Sequence, residues 1–264
     1  MRAVSESRVV RALAHPWLGG TVGILLLLLA WTLFSTLGRS SSIVPTPWVT
    51  GASVANDATT FYLPNLQSTL ERAGWGYLWG NLAGLLVASI ILIVPKLEEI
   101  VTQLGVISQC LPITAVGPII ILIFGGRSAA IFLAALLVFF TTLVGAILGM
   151  RAAPRAALDL VSAYGGSRLT QIRKVQLVSA IPAVITALKI AVPGALLGAV
   201  VGEYLGGIDS GIGVALNAAQ RGGMGERVWG MSILAGLIAL LGYALVGLVG
   251  RLITPWMTHE RRGD

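Results

Sequence analysis

The chain has 264 residues, of which 56% are hydrophobic and only 11% are charged, and it carries 33 glycines. A soluble domain needs more polar surface than this composition supplies, so the sequence indicates a membrane protein. The net charge of +7 could indicate nucleic-acid binding, but the Lys and Arg residues lie at the ends of apolar runs. That distribution is typical of membrane topology and argues against a DNA-binding surface.

Apolar runs long enough to cross a bilayer recur along the chain. A transmembrane helix needs about 20 mostly apolar residues, and about six runs approach that length. The first follows three arginines, as in a signal peptide, but it exceeds the usual signal core and is interpreted as a retained helix. The third is interrupted by Pro112 and Pro118. The sequence therefore predicts an all-α polytopic membrane protein with spans at 18–37, 77–94, 100–124, 129–150, 182–205 and 228–253.

The basic residues also predict the orientation. If the N-terminus is cytoplasmic, most Lys and Arg residues lie inside, as the positive-inside rule requires. The arginines left outside are Arg39, Arg72, Arg127, Arg221 and Arg227. The predicted organisation is a cytoplasmic segment at 1–17, the first transmembrane helix at 18–38, an external loop at 39–75 with a short amphipathic helix near 63–72, a core transmembrane domain at 76–255 that includes a cytoplasmic loop at 151–181, and a cytoplasmic tail at 256–264.

The cytoplasmic loop at 151–181 is longer than a helix hairpin requires. Its sequence predicts a short helix that ends at Gly165-Gly166 and a second helix that starts near Ser167. In the second helix Leu169, Ile172 and Gln176 fall near one face. Such a face can dock into the groove of a partner protein. The alternative is an amphipathic helix that lies on anionic lipid.

The spacing within this loop resembles the signature loop of the permease subunits of ABC importers. That signature reads EAA, three residues, Gly, nine residues, Ile, one residue and Leu-Pro. The residues in register with it are Asp159, Gly165, Val175 and Leu177, and the departures are Leu160 and Val161 for the alanines and Val178 for the proline. Pro182 matches a second proline that is usual in this family.

The resemblance covers about 81–256 and is closest to the nitrate, taurine and alkanesulfonate branch. The fragments that carry it are Pro112-Ile113 through Phe124-Gly125, Ala163-Tyr164-Gly165, Gly202-Glu203-Tyr204-Leu205-Gly206 and Ser210-Gly211-Ile212-Gly213. It implies the type I ABC importer permease (MetI-like) fold in the bacterial cytoplasmic membrane. It also implies three kinds of partner: a second permease, identical or paralogous, two cytoplasmic ATPase subunits, and an external or lipid-anchored solute-binding protein.

The resemblance further assigns an ATPase-coupling role to part of the cytoplasmic loop. The residues it implicates are Asp159, Ala163, Gly165, Gly166, Leu169, Ile172, Val175 and Leu177. ATP binding would close the ATPase subunits, pull on the loop helices and open the pore outward. ATP and Mg are expected on those partner subunits, and no cofactor is expected in this chain.

Three residues of the fifth predicted span are pore or gate candidates. Lys189 lies about 10 Å from the cytoplasmic end of that span at about 1.5 Å per residue. A lysine at mid-helix costs about 2.5–3.5 kcal/mol, so it either snorkels to the interface or lines an inner gate. Glu203 could pair with Arg221 or Arg227, or contact the binding protein. Pro193 predicts a bend in the helix.

The same span carries Gly194, Gly198, Gly202 and Gly206 at a spacing of four residues. Small residues at this spacing form a smooth face that another helix backbone can approach closely. The face could serve packing within the subunit or contact between two permeases.

Other classes of function receive less support. His15 and His259 lie at opposite ends of the chain, and no catalytic group of nucleophile, base and acid is evident. The sequence contains no GxxxxGK[ST] motif, so ATP hydrolysis by a P-loop is expected elsewhere. A secondary transporter would need ion-coupling acids near the midplane, and Glu203 near one edge is the exception in the predicted spans.

Cys110 is interpreted as a small buried hydrophobic residue.

The sequence does not select one transported solute, because members of the family that it resembles handle nitrate, taurine, sulfonates, pyrimidine vitamin precursors and riboflavin. A basic outer mouth formed by Arg127, Arg221 and Arg227 favours an anion.

Overall fold

The computed structural model describes residues 16–37, 43–97, 99–101, 103, 105, 112–206 and 208–254. These residues form helices and no strand, which confirms the predicted all-α class. The predictions for Cys110, for the tail at 256–264 and for nearly all of the N-terminal segment lie outside the described residues.

The helices follow one another in the order that the apolar runs predict. Their bounds are α1 Pro16–Leu37, α2 Pro47–Asn56, α3 Leu63–Ile93, α4 Ile113–Phe124, α5 Gly126–Arg151, α6 Arg155–Ala163, α7 Arg168–Gln171, α8 Leu177–Leu205, α9 Ile212–Arg221 and α10 Gly225–Ile253. A π-helical turn at Ala58–Tyr62 leads directly into α3, and a second at Ile172–Gln176 joins α7 to α8. The helical path is therefore continuous over Ala58–Ile93 and over Arg168–Leu205.

Five helical stretches in the described part of the chain are long and apolar enough to cross a membrane. They are Gly19–Leu37, Ala58–Ile93, Gly126–Arg151, Arg168–Leu205 and Gly225–Ile253. The apolar helix α4 has only 12 residues, or about 18 Å at 1.5 Å per residue. The third predicted span, 100–124, is thus described only in part.

The direction of α3 and α5 supports a crossing by the chain between them. Glycines along α3 meet residues of α5 in ascending order, Gly76 with Ala134, Gly80 with Val138 and Gly84 with Phe139. The two helices therefore run parallel, and the chain between Ile93 and Gly126 must return from one end of the bundle to the other. We refer to the end where α3 and α5 finish and α8 begins as the loop end, and to the other as the far end.

Two predicted boundaries before α3 were wrong. The expected short helix near 63–72 is the first part of α3, which runs without a break from Leu63. The stretch around Pro47, expected as extended loop, begins α2. The hydropathy criterion excluded the polar first turns of α3, but two of their polar side chains, Thr69 and Arg72, are buried and paired inside the fold.

Close helix packing at glycine builds the centre of the bundle. A Cβ atom added at Gly80 of α3 would lie 2.5 Å from the carbonyl oxygen of Ala135. A Cβ at Gly198 of α8 would lie 2.6 Å from the Cα of Ala134. Real Cβ atoms do not approach other atoms so closely, and small residues of this kind permit backbone contact between membrane helices. Helix α5 is therefore clasped between α3 and α8, with Ala134 fully buried at the junction.

Helices α1 and α10 lie at the periphery. Helix α10 runs antiparallel to α8, since Gly242 meets Val192 and Gly250 meets Ile185. The Trp31 ring of α1 stacks on the Trp229 ring of α10 at 5.2 Å between centroids. Elsewhere both helices leave large apolar side chains exposed, as expected for surfaces that face lipid.

We predict that Gly198→Ala destabilises the protein by about 1–3 kcal/mol, because the added methyl group overpacks the α5–α8 contact. Gly194→Ala is the matched control, since a Cβ at Gly194 meets no atom within 4 Å. Thermal unfolding in mild detergent measures both variants. Equal melting temperatures for the two would contradict close packing at Gly198.

Candidate functional site

The loop between α5 and α8 folds into two short helices with a glycine turn between them. Helix α6 ends at Ala163, and Gly165 follows with a φ of +74°, a conformation that glycine adopts without strain. A Cβ at Gly166 would lie 2.7 Å from the carbonyl oxygen of Val161. Ser167 caps α7 by accepting a hydrogen bond from the Thr170 amide. The predicted break and the predicted start of the second helix are both confirmed.

A side-chain clamp fixes α6 to α7. The amide nitrogen of Gln171 donates to the Ser162 hydroxyl at 2.6 Å and to the Leu158 carbonyl at 3.1 Å. These bonds join the two helices across the glycine turn. The segment from Arg155 to Gln176, which we call the coupling segment, is therefore an ordered unit.

The coupling segment exposes large apolar side chains. The exposed fractions are 59% for Leu160, 86% for Tyr164 and 53% for Leu169. No residue of α6 is buried, although its sequence is amphipathic. Leu160 and Tyr164 lie outside the helical stretches that are long enough to cross a membrane, and Leu169 is the second residue of one of them. Contiguous exposed apolar side chains often mark a surface for a protein partner.

The sequence-predicted coupling residues differ in their exposure. Asp159, Ala163 and Gly165 are exposed, like Leu169 and Leu177, whereas Gly166 and Val175 are partly buried. Ile172 is only 7% exposed and packs with Ile91 of α3 and Ile147 of α5. The prediction that Ile172 presents an apolar knob to a partner was therefore wrong, because its side chain is used inside this chain. It anchors the coupling segment to the membrane helices.

The coupling segment continues without a break into α8. The helical path of 38 residues from Arg168 to Leu205 spans about 57 Å at 1.5 Å per residue. Pro182 and Pro193 both lie inside it, and the helix continues past each of them. A displacement at the loop end can thus reach the far end through one element.

At the far end of α8, a buried ion pair joins the helix to α3. The Arg72 guanidinium donates to Oε1 of Glu203 at 2.7 Å, and the Thr69 hydroxyl donates to Oε2 at 2.7 Å. Glu203 is 1% exposed and Arg72 is 6% exposed. The expectation that Glu203 pairs with Arg221 or Arg227 was wrong. Protein groups enclose the Glu203 carboxylate. A pore or gate role for Glu203 stays a prediction.

The same ion pair organises the turn that leads to α9. Arg72 also donates to the Ser210 carbonyl at 2.7 Å, and the Gly213 amide donates to Glu203 at 3.1 Å. Gly211 has a φ of +130°, and a Cβ there would collide with the Glu203 carboxylate. These contacts join the fragment around Glu203 to the fragment around Gly211. They enclose one buried charge.

Lys189 lies between α8 and α10. Its ammonium group is 4.7 Å from the centroid of the Tyr243 ring, a distance at which a cation and an aromatic face attract each other. A Cβ at Gly247 would lie 3.0 Å from the Lys189 Cε, so this glycine makes room for the lysine. Pro193 is exposed on α8. A gate role for either residue stays a prediction.

The four-residue glycine stripe of α8 divides into two parts. Gly198 and Gly202 pack against α5, whereas a Cβ at Gly194 meets nothing within 4 Å. A Cβ at Gly206, which follows the last residue of α8, would lie 2.5 Å from the carbonyl oxygen of Gly202. Packing within the subunit thus uses the middle of the stripe.

Two of the three arginines expected at a basic outer mouth have acidic partners. Arg227 pairs with Asp57 at 2.8 Å and lies over the Phe61 ring. Arg127 pairs with Glu71. Arg221 is exposed at the end of α9. The local charge at the far end is therefore more balanced than the arginines alone indicate.

In the part of the chain that the structure describes, no three His, Cys, Asp or Glu side chains cluster in a way that could hold a metal ion.

Sequence reasoning missed the glycines of α3 that face α5, although Gly76, Gly80 and Gly84 show the same spacing of four as the stripe on α8. It also missed Arg72, which lies 131 residues from Glu203 and leaves no local pattern.

Comparison with known proteins supplies the family. The sequence profile of the family described as binding-protein-dependent transport system inner membrane component matches residues 80–259. A riboflavin transport system permease protein of Chloroflexus aurantiacus is 28% identical over 264 residues, which cover 97% of this chain and 96% of that protein. A formylaminopyrimidine transport permease protein of Halalkalibacterium halodurans is 25% identical over 241 residues, or 91% of this chain and 96% of that protein.

Two further relatives match a smaller part. A probable ABC transporter permease protein of Haemophilus influenzae is 32% identical over 65% of this chain and 69% of its own length. A nitrate import permease protein of Leptolyngbya laminosa is 28% identical over 72% of this chain and 68% of its own length. The matched range contains the coupling segment, the long helix α8 and the buried Glu203. The chain belongs to the family of binding-protein-dependent transport system inner membrane components, the permease subunits of ABC importers.

Proposed function

We propose that the coupling segment docks a cytoplasmic ATPase subunit of the importer. The observation that carries this proposal is the exposed apolar surface of Leu160, Tyr164 and Leu169 on an ordered segment at the loop end. Aromatic side chains such as that of Tyr164 are enriched in the buried centre of protein interfaces. The register of Asp159 and Gly165 with the family's signature loop supports the same partner.

Movement of the docked ATPase would reach the far end through the helical path of Arg168–Leu205. Ile172 ties the start of this path to α3 and α5. Gly198 holds its middle against α5, and Glu203 ties its end to Arg72 of α3. These attachments favour a rigid displacement of α3, α5 and α8 together over sliding of α8 alone. A second permease would complete the pathway, and an external binding protein would deliver the solute.

The solute that the observations favour is a small polar organic molecule of the nitrogen-heterocycle class. The relatives named for riboflavin and formylaminopyrimidine match more than nine-tenths of this chain, whereas the nitrate relative matches 72%. Acidic partners for Arg127 and Arg227 weaken the case for an inorganic anion.

The structure gives little support to the alternative function, an ion-coupled secondary transporter. Among the described membrane-length helices, the acids Glu71, Glu203 and Glu226 all lie toward the far end, and the first two are paired with arginines. Such a transporter couples to ions through groups near the bilayer midplane.

We predict that the loop end faces the cytoplasm of the bacterial inner membrane, as the positive-inside rule favours. In a Cys110→Ser background, a membrane-impermeant maleimide added to intact spheroplasts should label Gln220→Cys and not Ser162→Cys. Both positions are exposed. Lysis of the spheroplasts provides the control, because it should make both positions reactive. Labelling of Ser162→Cys in intact spheroplasts would reverse the orientation.

We predict that Gly165→Arg weakens ATPase association at least about tenfold, which corresponds to about 1.4 kcal/mol. Co-purification in mild detergent and coupled ATPase activity measure the effect. Gly223→Arg is the matched control. Both glycines have positive φ, +74° and +67°, and a Cβ on either meets no atom within 4 Å.

The two variants therefore carry a similar backbone cost of about 1–2 kcal/mol, and they differ in which end of the bundle they occupy. Association that falls equally in both variants would indicate general misfolding. Association that survives in Gly165→Arg would remove the coupling segment as the docking element.

A further inference from the structure

Lys189 places a positive charge inside the helices that are long enough to cross a membrane. Its ammonium group lies 4.7 Å from the centroid of the Tyr243 ring, and its Cε atom would lie 3.0 Å from a Cβ at Gly247. These two residues of α10 precede its last residue, Ile253, by about 15 Å and about 9 Å at 1.5 Å per residue. The ammonium group therefore lies well inside a hydrocarbon core about 30 Å thick.

The side chain of Lys189 does not extend toward either end of the bundle. Val192 of α8 meets Gly242 of α10, and Ile185 meets Gly250 nearer the loop end. The backbone of Lys189 is therefore level with the stretch of α10 between these two glycines. The ammonium group lies within the same stretch, whereas a snorkelling lysine would extend toward the membrane surface. Snorkelling does not explain the position of this charge.

Within the described residues, Lys189 contacts the Tyr243 ring, and no carboxylate or other hydrogen-bond acceptor lies beside it. The acids of the described membrane-length helices all lie toward the far end. An aromatic face attracts the charge from one side, but an ammonium group carries three N–H donors. Charged groups inside membrane helices are costly and often mark a substrate or ion pathway. The unused donors of Lys189 therefore suit the oxygen atoms of a ligand.

An apolar groove about 240 Å³ in volume lies between α3, α8 and α10, beside this lysine. Val192 of α8 and Val246 of α10 both line it. Val192 follows Lys189 by three residues, or about one helical turn, so the lysine borders the groove on the side of the loop end. An acyl chain could fill the apolar part of the groove, but it would leave the lysine donors unpaired, because it carries no acceptor.

The same edge of the groove carries a second polar group. Tyr77 lines the groove from α3, and its hydroxyl donates to the Leu188 carbonyl at 3.2 Å. A phenolic oxygen that donates one hydrogen bond can still accept another. The groove therefore combines apolar walls with a charged donor and a neutral acceptor at one edge. Apolar walls with a few placed polar groups are typical of sites for small molecules.

We propose that this groove holds the transported solute during its passage through the membrane and that Lys189 helps to select it. The ring of a flat nitrogen heterocycle contacts the apolar walls, a carbonyl oxygen on the ring accepts from Lys189, and a ring N–H donates to the Tyr77 hydroxyl. The contact requires no covalent step. The inference rests on the heterocyclic solute proposed above, and a second permease that covers α10 would enclose the groove.

The first test asks whether water reaches the groove in the assembled importer, because a thiol reacts as its thiolate and lipid disfavours that form. In a Cys110→Ser background, Val246→Cys places a thiol in the groove. Leu248→Cys is the matched control, since Leu248 is 58% exposed on the same helix and does not line the groove. N-ethylmaleimide should label Val246→Cys several times faster than Leu248→Cys. Saturating riboflavin should slow the labelling of Val246→Cys and leave that of Leu248→Cys unchanged.

The second test measures riboflavin and formylaminopyrimidine uptake by proteoliposomes that contain this chain, its ATPase and its binding protein. Lys189→Met keeps an unbranched apolar side chain and removes the charge with its donors. We expect uptake to fall at least about tenfold, because charge-assisted hydrogen bonds to the solute are lost. The melting temperature and ATPase co-purification should not fall, because the substitution leaves no opposite charge unpaired.

Lys96→Met is the matched control for the uptake test. It makes the same chemical change at a lysine that is exposed at the loop end. It should change uptake by less than about twofold, because exposed charges contribute little. The labelling test uses unmodified Lys189 and remains informative if Lys189→Met fails to fold.

Four outcomes would overturn the proposal. Equal labelling of the two cysteines would indicate that lipid fills the groove. Uptake that is equal in Lys189→Met and Lys96→Met would remove the lysine from the solute pathway. A melting temperature that falls together with uptake in Lys189→Met would assign Lys189 a structural role. Absence of both protection and uptake with either heterocycle would remove this class of solute. ATPase docking, measured by Gly165→Arg, does not depend on any of these results.

Discussion

Close contact between helix backbones at glycine is the constraint on which the rest of the molecule depends. Gly80 of α3 and Gly198 of α8 both lie against α5, at distances that admit no side chain. Lipid provides no hydrophobic force that would bring these helices together, so van der Waals contact between backbones takes on that role. The three helices form a unit that fixes the relation between the coupling segment at one end and Glu203 at the other.

The buried ion pair shows how the unit is closed at the far end. A charge removed from water is costly unless other groups compensate it, and Glu203 receives hydrogen bonds from Arg72, Thr69 and the Gly213 amide. Gly211 leaves space for the carboxylate. The cost of burial therefore makes this turn specific, because loss of one partner would leave a buried charge uncompensated. At the loop end the unit instead leaves apolar side chains uncovered, as a subunit with a partner would.

Sequence reasoning identified the all-α class, the family and the two short helices of the loop at 151–181, because each has a local signal. Hydropathy marks the spans, and the spacing from Asp159 to Leu177 marks the loop. It misassigned Ile172, since a helix face that is apolar can serve the chain's own core as well as a partner. Periodicity in the sequence indicates that an apolar face exists, and only the tertiary structure shows which residues cover it.

Long-range pairings were beyond the sequence for a related reason. Arg72 and Glu203 lie 131 residues apart, whereas Arg221 and Arg227 lie closer to Glu203 in the sequence. The polar start of α3 was likewise assigned to a separate short helix in the external loop, because hydropathy scores Arg72 as if water surrounded it. Arg72 is buried and paired in the structure. The glycine spacing of α3, by contrast, was visible in the sequence.

The measurement that tests the account most directly is uptake into proteoliposomes that contain this chain, its ATPase and its binding protein. Riboflavin, formylaminopyrimidine and nitrate serve as probes. The account predicts that uptake of a heterocyclic probe requires the binding protein and ATP on the side of the membrane where the coupling segment lies. Uptake should persist when ionophores abolish the ion gradients. Uptake that proceeds without ATP and stops when the ion gradients collapse would contradict it.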